Sequence, residues 1–301
     1  FKDSASALAL LPARAIGATV ETGATTGNPA ASTATLASVL GMRTVIFVPA
    51  SAPQAKIAQL LGHGAEVLAV EGSYDQAFEL CLDASARFGW YNRNTGANPI
   101  TREGKKSVSF EIVEQLGWRA PDMVAVPVGD GNIISGVFKG FWELQQLGII
   151  DRIPRLLAVQ AEGSAAIVQA LRGDGTIRAV AARTVADSIS VDLPRDGEAA
   201  LRAVRESHGV GVTVSDAEIT SAIPEVARGA GVFGEPAGVT AYAGLKKAAA
   251  QGLIEPGWRV VALVTGSGLK DVTAALKTTE PPTRIAPTVE ALEDALRERT
   301  R

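Results

Sequence analysis

Short β-branched runs, each closed by a turn residue, constrain this chain more than any other feature. They are Arg43-Thr44-Val45-Ile46-Phe47-Val48, Ala65-Glu66-Val67-Leu68-Ala69-Val70, Met123-Val124-Ala125-Val126-Pro127-Val128, Leu156-Leu157-Ala158-Val159 and Arg259-Val260-Val261-Ala262-Leu263-Val264. Near-continuous apolar runs, rather than period-two alternation, suit parallel strands covered on both faces. The stretches between them carry helix periodicity. Ala77, Phe78, Cys81 and Leu82 share one stripe between Ser73 and Phe88, and Ile134, Val137, Phe138, Phe141 and Trp142 form another. Ser215-Asp216-Ala217-Glu218 is a capping box ahead of a further helix. Strands alternating with helices predict an α/β architecture with a largely parallel sheet.

Composition removes whole classes of function. With 301 residues, 47% hydrophobic and 20% charged, the chain can bury a core and is neither disordered nor fibrous. A net charge of -3 lacks the Lys/Arg surplus that nucleic acid needs, so no nucleic-acid partner is expected. No apolar run approaches the roughly 18 to 20 residues that span a bilayer, so no membrane role is expected. Cys81 is the single cysteine; it cannot close an internal disulfide, and it reads as core on its helix stripe. A reducing, cytoplasmic compartment fits. His63, before a strand, and His208, at a helix end, give a metal cage little material, and no metal is expected. Past Lys277, residues 278–283 read as an extended linker and 289–296 as a short peripheral helix. Phe1-Lys2-Asp3 has no starting Met and runs straight into a helical pattern, so the expectation is a part of a longer protein.

Four glycine-rich turns are candidates for a ligand. Thr25-Thr26-Gly27-Asn28 follows a strand expected around 18–21 and opens a small-residue helix. Its amides and hydroxyls at the positive helix end suit a carboxylate or phosphate, or serve only as a cap. Gly129-Asp130-Gly131-Asn132-Ile133 joins a strand to an amphipathic helix, so several amides can converge on one phosphate, or the segment is only a tight strand–helix turn. It fits neither a dinucleotide loop, which needs Gly where Ile134 stands, nor a Walker loop, which needs Gly-Lys. Gly229-Ala230-Gly231-Val232-Phe233-Gly234 matches G-x-G-x-x-G but follows a helical segment, 219–228, where the fingerprint requires a strand. It is excluded, and Glu235-Pro236 after it places Pro at a first helical position. Thr265-Gly266-Ser267-Gly268 ends the last strand, where a hydroxyl can bond a flat ring or the segment is only a turn. With so little histidine, chemistry here has to come from an organic cofactor. A lysine is then the expected covalent anchor, because an amine condenses with an aldehyde. Lys2 is the candidate, set against the plain reading of a solvated surface charge.

In this order, the segments resemble the fold-type II pyridoxal-phosphate enzymes of the tryptophan synthase beta-like fold, most closely the threonine synthases. Phe1-Lys2-Asp3 is similar to the family's Ser-Phe-Lys-Asp, whose lysine carries the cofactor. Thr25-Thr26-Gly27-Asn28 is similar to its Ser-Ser/Thr-Gly-Asn loop. The resemblance makes Asn28 a partner of the cofactor's 3-hydroxyl, and gives Thr25, Thr26 and Gly27 the substrate carboxylate. Gly129, Asp130, Gly131, Asn132 and Ile133 correspond to the cofactor-phosphate loop. Val264 to Asp271 resembles Leu-Thr-Gly-x-Gly-Leu-Lys-Asp, in which Thr265 would bond the pyridine nitrogen. Asn98-Pro99, Arg102-Glu103-Gly104-Lys105-Lys106 and Lys139-Gly140-Phe141 also have counterparts, and the similarity runs over about residues 1 to 275. There are departures. Asp130 and Asn132 replace the common Asn and Gly, and Asp130 would repel a bound dianion unless it points away. Pro29 replaces Thr or Ala, and Thr101 stands where many threonine synthases have Arg in Asn-Pro-x-Arg. Arg102, Lys105 and Lys106 therefore become the candidates for a substrate phosphate, or are a solvated basic run.

The resemblance implies two three-layer α/β/α domains. Residues 18–118 would form a smaller mobile domain, 1–17 plus 119–275 the larger cofactor-binding one, and 276–301 a linker and helix. The family usually has some tens of residues before the lysine, so the N-terminal part of the large domain is expected to be missing. The implied enzyme is a lyase that uses pyridoxal 5'-phosphate to convert O-phospho-L-homoserine and water to L-threonine and phosphate. In it Lys2 moves the α- and β-protons, on a small amino-acid substrate, in a cytoplasmic homodimer. Two alternatives stay open: a threonine or serine dehydratase-like β-eliminating enzyme, and a truncated, inactive cofactor-binding homologue.

Overall fold

β-branched side chains fit a pleated surface that is covered above and below, and the apolar runs become strands for that reason. The computed structural model describes residues 1–25, 27–52 and 54–299. Helix α1 (Lys2–Ala15) precedes a first sheet built from β1 (Val20–Ala24), β2 (Arg43–Pro49), β3 (Glu66–Val70) and β4 (Tyr91–Asn92). Its helices are α2 (Asn28–Val39), α3 (Gln54–Gly62) and α4 (Tyr74–Phe88), and α5 (Ile100–Lys105) and α6 (Ser107–Gln115) follow β4. A second sheet contains β5 (Met123–Pro127), β6 (Arg155–Ala161), β7 (Val210–Val214) and β8 (Val260–Ala262). Its helices are α7 (Asn132–Gln146), α8 (Ala166–Arg172), α9 (Gly197–Glu206), α10 (Asp216–Ala230) and α11 (Pro236–Ala250). Two further helices, α12 (Val272–Leu276) and α13 (Val289–Arg299), close the described chain.

Both sheets are three-layered, and strand alternation shows why. On β2, Ile46 and Val48 pack with Ala30, Ala34 and Leu60 of α2 and α3, while Val45 and Phe47 pack with Ala77, Phe78 and Cys81 of α4. On β5 and β6, Val124, Val126, Leu156 and Ala158 meet α7, α8 and α9, while Met123, Ala125, Leu157 and Val159 meet α10 and α11.

The two sheets share a topology. The first runs β3-β2-β1-β4 and the second β7-β6-β5-β8, with every pairing parallel. In each, the chain winds outward in one direction and then returns to the other side of its first strand. The order therefore reverses between β1 and β4 and between β5 and β8. Parallel sheets leave a crevice at the carboxyl ends of strands at such a reversal.

Close helix crossings fix the first turn of α1. A Cβ at Gly104 of α5 would fall on the Ser4 carbonyl and the Ala5 backbone. One at Gly136 of α7 would lie 2.8 Å from the Lys105 Cβ and 3.0 Å from the Arg102 carbonyl. Glycine at both positions lets α1, α5 and α7 stack at backbone contact, and Leu10 and Ala13 of α1 also pack on Ala37 of α2.

Several expectations shift. The run at 65–70 is not covered on both faces: β3 is an edge strand, and Leu68 is 45% exposed. The last run is a strand only over Val260–Ala262, although Leu263 still donates to the Ala125 carbonyl. Two edge strands, β4 and β7, are absent from the sequence reading. β4 has two residues and exists through its pairing with β1, and Gly211 interrupts the apolar run of β7. Trp142 lies at the margin of its helix stripe and is half-exposed. The capping box at Ser215 forms, and Gly231 ends α10 in a left-handed C-cap, so G-x-G-x-x-G here is a helix terminus. Cys81 is buried and α13 covers the expected C-terminal helix.

Gly104→Ala is expected to lower stability by about 1–3 kcal/mol, the usual result of overpacking a close helix contact. Urea denaturation checks this; an unchanged midpoint would mean that α1 and α5 are not held at backbone contact.

Candidate active site

Lys2 is the first residue of α1, and the α5 crossing points it into the crevice between the two sheets. It lines two small cavities of about 50 Å³ each. One is walled by residues 127–134 after β5, the other by Ala24, Thr25, Asn28 and Pro29 after β1 and by Arg93 after β4. Thr95, Asp130 and Ser188 line both. A wider cleft of about 280 Å³, between 49–52 and 73–75 on one side and 182–192 on the other, shares Tyr74, Asp187 and Ser190 with the second cavity. The Lys2 amine has no hydrogen bond or ion pair among the described residues. Its pKa is lowered from 10.5 to about 8, first by burial and then by the Arg93 guanidinium, with Asp130 and Glu235 pulling the other way.

The turn after β5 is a cradle of unmet donors. Among the described residues, the N–H groups of Gly129, Asp130 and Gly131 have no acceptor. Those of Asn132 and Ile133 occupy the first two positions of α7, where a helix supplies none. Gly131 holds φ at 90°, and a Cβ on it would lie 2.8 Å from both the Asp196 carbonyl and the Ala200 Cβ. Asp130 turns partly aside: its Oδ1 accepts the Arg195 N–H at 3.2 Å and its carbonyl accepts the Asp196 N–H at 2.8 Å. Burial raises its carboxyl pKa, opposed by the Arg195 amide and by Lys2.

The predicted basic residues sit behind this cradle. Lys105 is buried, its ammonium donates to Asn132 Oδ1, and burial holds its pKa well below the ordinary lysine value. Asn132 Nδ2 in turn donates to Asp196, which pairs with Arg102. Arg102 lines a separate pocket with Trp142, Lys139 and Arg202, not the Lys2 cavities. Lys106 pairs with Glu103 and Glu143.

On the far wall, the Thr25 Oγ1 accepts the Gly27 N–H at 3.0 Å; Thr26 lies outside the described residues. Asn28 Nδ2 donates to Glu235 Oε1 at 2.6 Å and to Ser188 Oγ at 3.3 Å, while its Oδ1 is buried with no partner. Glu235 precedes Pro236 of α11, and its N–H donates to the Gly266 carbonyl at 3.0 Å. A Cβ on Gly266 would collide with the Glu235 carboxylate, so Glu235 bridges Asn28 and the Thr265 turn. Thr265 itself is half-buried beyond that bridge and is not among the residues lining the Lys2 cavities. Lys56, 2% exposed, pairs with Asp187 at 2.6 Å and stands 3.9 Å from Glu235.

The structure thus brings Lys2, Thr25, Asn28 and residues 129–133 together, and places Thr265, Arg102 and Lys105 around rather than inside. Sequence reasoning missed Arg93, Glu235 and Lys56. Only Glu235 carried a signal, an acid directly before a helix-starting proline, where the helix dipole favours a negative charge.

Comparison with known proteins gives the family. The family described as pyridoxal-phosphate dependent enzymes matches residues 1–266. The chain belongs to that family. Threonine synthase of Methanocaldococcus jannaschii is 36% identical over 99% of this chain and 74% of its own length. Threonine synthase of Mycobacterium tuberculosis is 38% identical over 92% of this chain and 75% of its own. Among solved structures, threonine deaminase isoform 2 of Solanum lycopersicum shares the fold with a TM-score of 0.75 at 23% identity, over 92% of this chain and 78% of that one. Diaminopropionate ammonia lyase of Escherichia coli does so with a TM-score of 0.79 at 16% identity, again over 92% and 78%. The protein is a pyridoxal-phosphate-dependent lyase, and its cofactor is pyridoxal 5'-phosphate.

The residues fit that cofactor. An unpaired amine can take its aldehyde, unpaired amides facing the amine can take its phosphate, and the orphan Oδ1 of Asn28 can take a ring hydroxyl. Only the neutral amine attacks an aldehyde, so the lowered pKa matters. Cofactor uptake by the apoprotein should rise with pH and level off above about 8, as Lys2 loses its proton. Stopped-flow absorbance of added pyridoxal phosphate measures this; a rate still climbing steeply beyond pH 9 to 10, roughly as a free lysine would, contradicts the assignment.

Proposed function

We propose that the chain is a threonine synthase, converting O-phospho-L-homoserine and water to L-threonine and phosphate. The threonine synthase relatives support the reaction. One observation supports Lys2 as its centre: a half-buried lysine whose amine has no partner among the described residues, facing a row of amides without acceptors.

Bound pyridoxal phosphate supplies an electron-withdrawing ring that acidifies the substrate's C–H bonds. Everything else falls to the chain. The amides of Gly129, Asp130, Gly131, Asn132 and Ile133 would hold the cofactor phosphate and Asn28 its 3-hydroxyl; Thr265, on the far side of the Glu235 bridge, is proposed for its ring nitrogen. Thr25, Thr26 and Gly27 hold the substrate carboxylate. The Lys2 Nζ takes the α- and then the β-proton; phosphate leaves the γ-carbon, which gains a proton to become the methyl group, water adds its hydroxyl at the β-carbon, and a proton returns to the α-carbon. Arg102 and Lys105 are engaged by Asp196 and Asn132, so their part is to hold the loop in place.

Residues 18–118 are proposed to move as the smaller domain, excluding water as they close. Two sets of ion pairs cross the cleft: Lys56 with Asp187, and Arg195 with Asp75 and Glu79 at 2.8 and 3.0 Å. The reading extends to a homodimer working in the cytoplasm on small amino acids. Among the described residues no helix is long and apolar enough to cross a membrane.

Phosphate release from O-phospho-L-homoserine tests the proposal. The wild type should release phosphate and form threonine but leave free L-threonine intact, and Lys2→Ala should lose about 100-fold or more. Deamination of threonine would favour the dehydratase reading, and release that survives Lys2→Ala removes Lys2 from the chemistry.

A further inference from the structure

Arg93 is a buried cation that the roles given so far leave unused. It follows β4 at the reversal beside β1, and its stem passes over Gly23, where a Cβ would lie 3.3 Å from Arg93 Cδ. The residue is 4% exposed and lines the same cavity as Lys2, Thr25 and Asn28. A guanidinium carries five N–H donors. Here Nη2 reaches Ser6 Oγ only at 3.5 Å, and Nε is buried with no acceptor. The nearby counter-charge is Glu21 on the same face of β1, 0% exposed, whose oxygens meet no donor in hydrogen-bonding geometry. Burial pushes the Glu21 carboxyl up to about 7, so it offsets the Arg93 charge incompletely near neutral pH. A buried cation with unmet donors on a cavity wall is costly unless an anion completes it.

We propose that Arg93 is the receptor for the phosphate of the substrate, which places that group at the end of β4 rather than at the basic run 102–106. The proposal rests on the threonine synthase reading and deepens it. The other anion-binding groups are already committed. The loop amides face the cofactor phosphate, Thr25 and Gly27 the carboxylate, and Lys2 is the anchor. Lys105 and Arg102 are held by Asn132 and Asp196, and Lys56 by Asp187. The remaining charges on the Lys2 cavities, Asp130 and Asp187, are acids that repel a dianion. Thr95, two residues beyond Arg93 and on both cavities, adds a hydroxyl on the same side. A planar guanidinium matches phosphate through paired N–H bonds. An unphosphorylated hydroxyamino acid would leave those donors unmet, so Arg93 also selects the phosphorylated substrate.

The test uses cofactor-loaded enzyme, in which the loop amides are filled, so that inorganic phosphate reports the second site. Calorimetric titration with inorganic phosphate is paired with the steady-state kinetics of O-phospho-L-homoserine. R93M should weaken phosphate binding and raise KM by about 10- to 100-fold, the worth of a charge-assisted pair, with a smaller change in kcat. R93K should fall between, because an ammonium keeps the charge but not the fork. E21Q should bind phosphate at least as well as the wild type. Cofactor absorbance at full stoichiometry confirms that each variant is folded and loaded; should R93M fail that check, R93K decides. Wild-type phosphate affinity in loaded R93M, or in R93K where it decides, overturns the proposal. Loss of phosphate binding in R93M alongside a wild type that makes no threonine would uphold the anion site and sink the synthase reading instead.

Discussion

A helix cannot supply acceptors for its own first amides, and a parallel strand cannot turn back into its own sheet. Together these constraints shape the site. Each strand of the two sheets must hand over to a helix at its carboxyl end, and at the order reversals nothing from the sheet covers those ends. Thr25 and Gly27 after β1, Arg93 and Thr95 after β4, the 129–133 loop after β5 and Thr265 after β8 all stand there. The polar groups that the fold leaves without partners are thereby collected in one crevice.

Placing a lysine among them requires a separate device. Lys2 belongs to neither sheet, and its position depends on how deeply α1 sinks against α5, which in turn packs on α7. Gly104 and Gly136 remove the side chains that would hold these helices apart. Burial next to Arg93 then lowers the pH at which the amine gives up its proton. Packing of small residues and the chemistry of one nitrogen are thus the same problem seen at two scales.

Much of the fold was legible because apolar runs and helix stripes act locally. The alternation of β2 between α2/α3 and α4, the capping box at Ser215 and the helix end at Gly231 follow from a few neighbouring residues. The short strand β4 was not legible, since two residues carry no pattern and their pairing with β1 is a long-range event. The same division holds at the site. Glycines and hydroxyls at strand ends drew the eye to Thr25, Asn28 and the 129–133 loop, which line the cavities around Lys2. Arg93 and Lys56 carried no signal, because burial of a cation is decided by groups far away in the chain, here the strand β1 that Arg93 crosses and the Asp187 that pairs with Lys56. Arg102 and Lys105 carried two readings, a phosphate ligand or a solvated basic run, and their contacts with Asp196 and Asn132 are tertiary ones that spacing does not display.

Cys81 lies on the inner face of α4 against Thr22 and Asn94, fully covered, with burial raising the pKa of its thiol. A covered thiol that resists ionisation is a poor target for alkylating dyes. The natural sequence is therefore close to blank for maleimide chemistry, and one cysteine introduced on each side of the cleft, on α4 and on the 182–192 segment, would carry a donor–acceptor pair with little background labelling. The distance between the halves could then be followed molecule by molecule without first stripping a native thiol from the core.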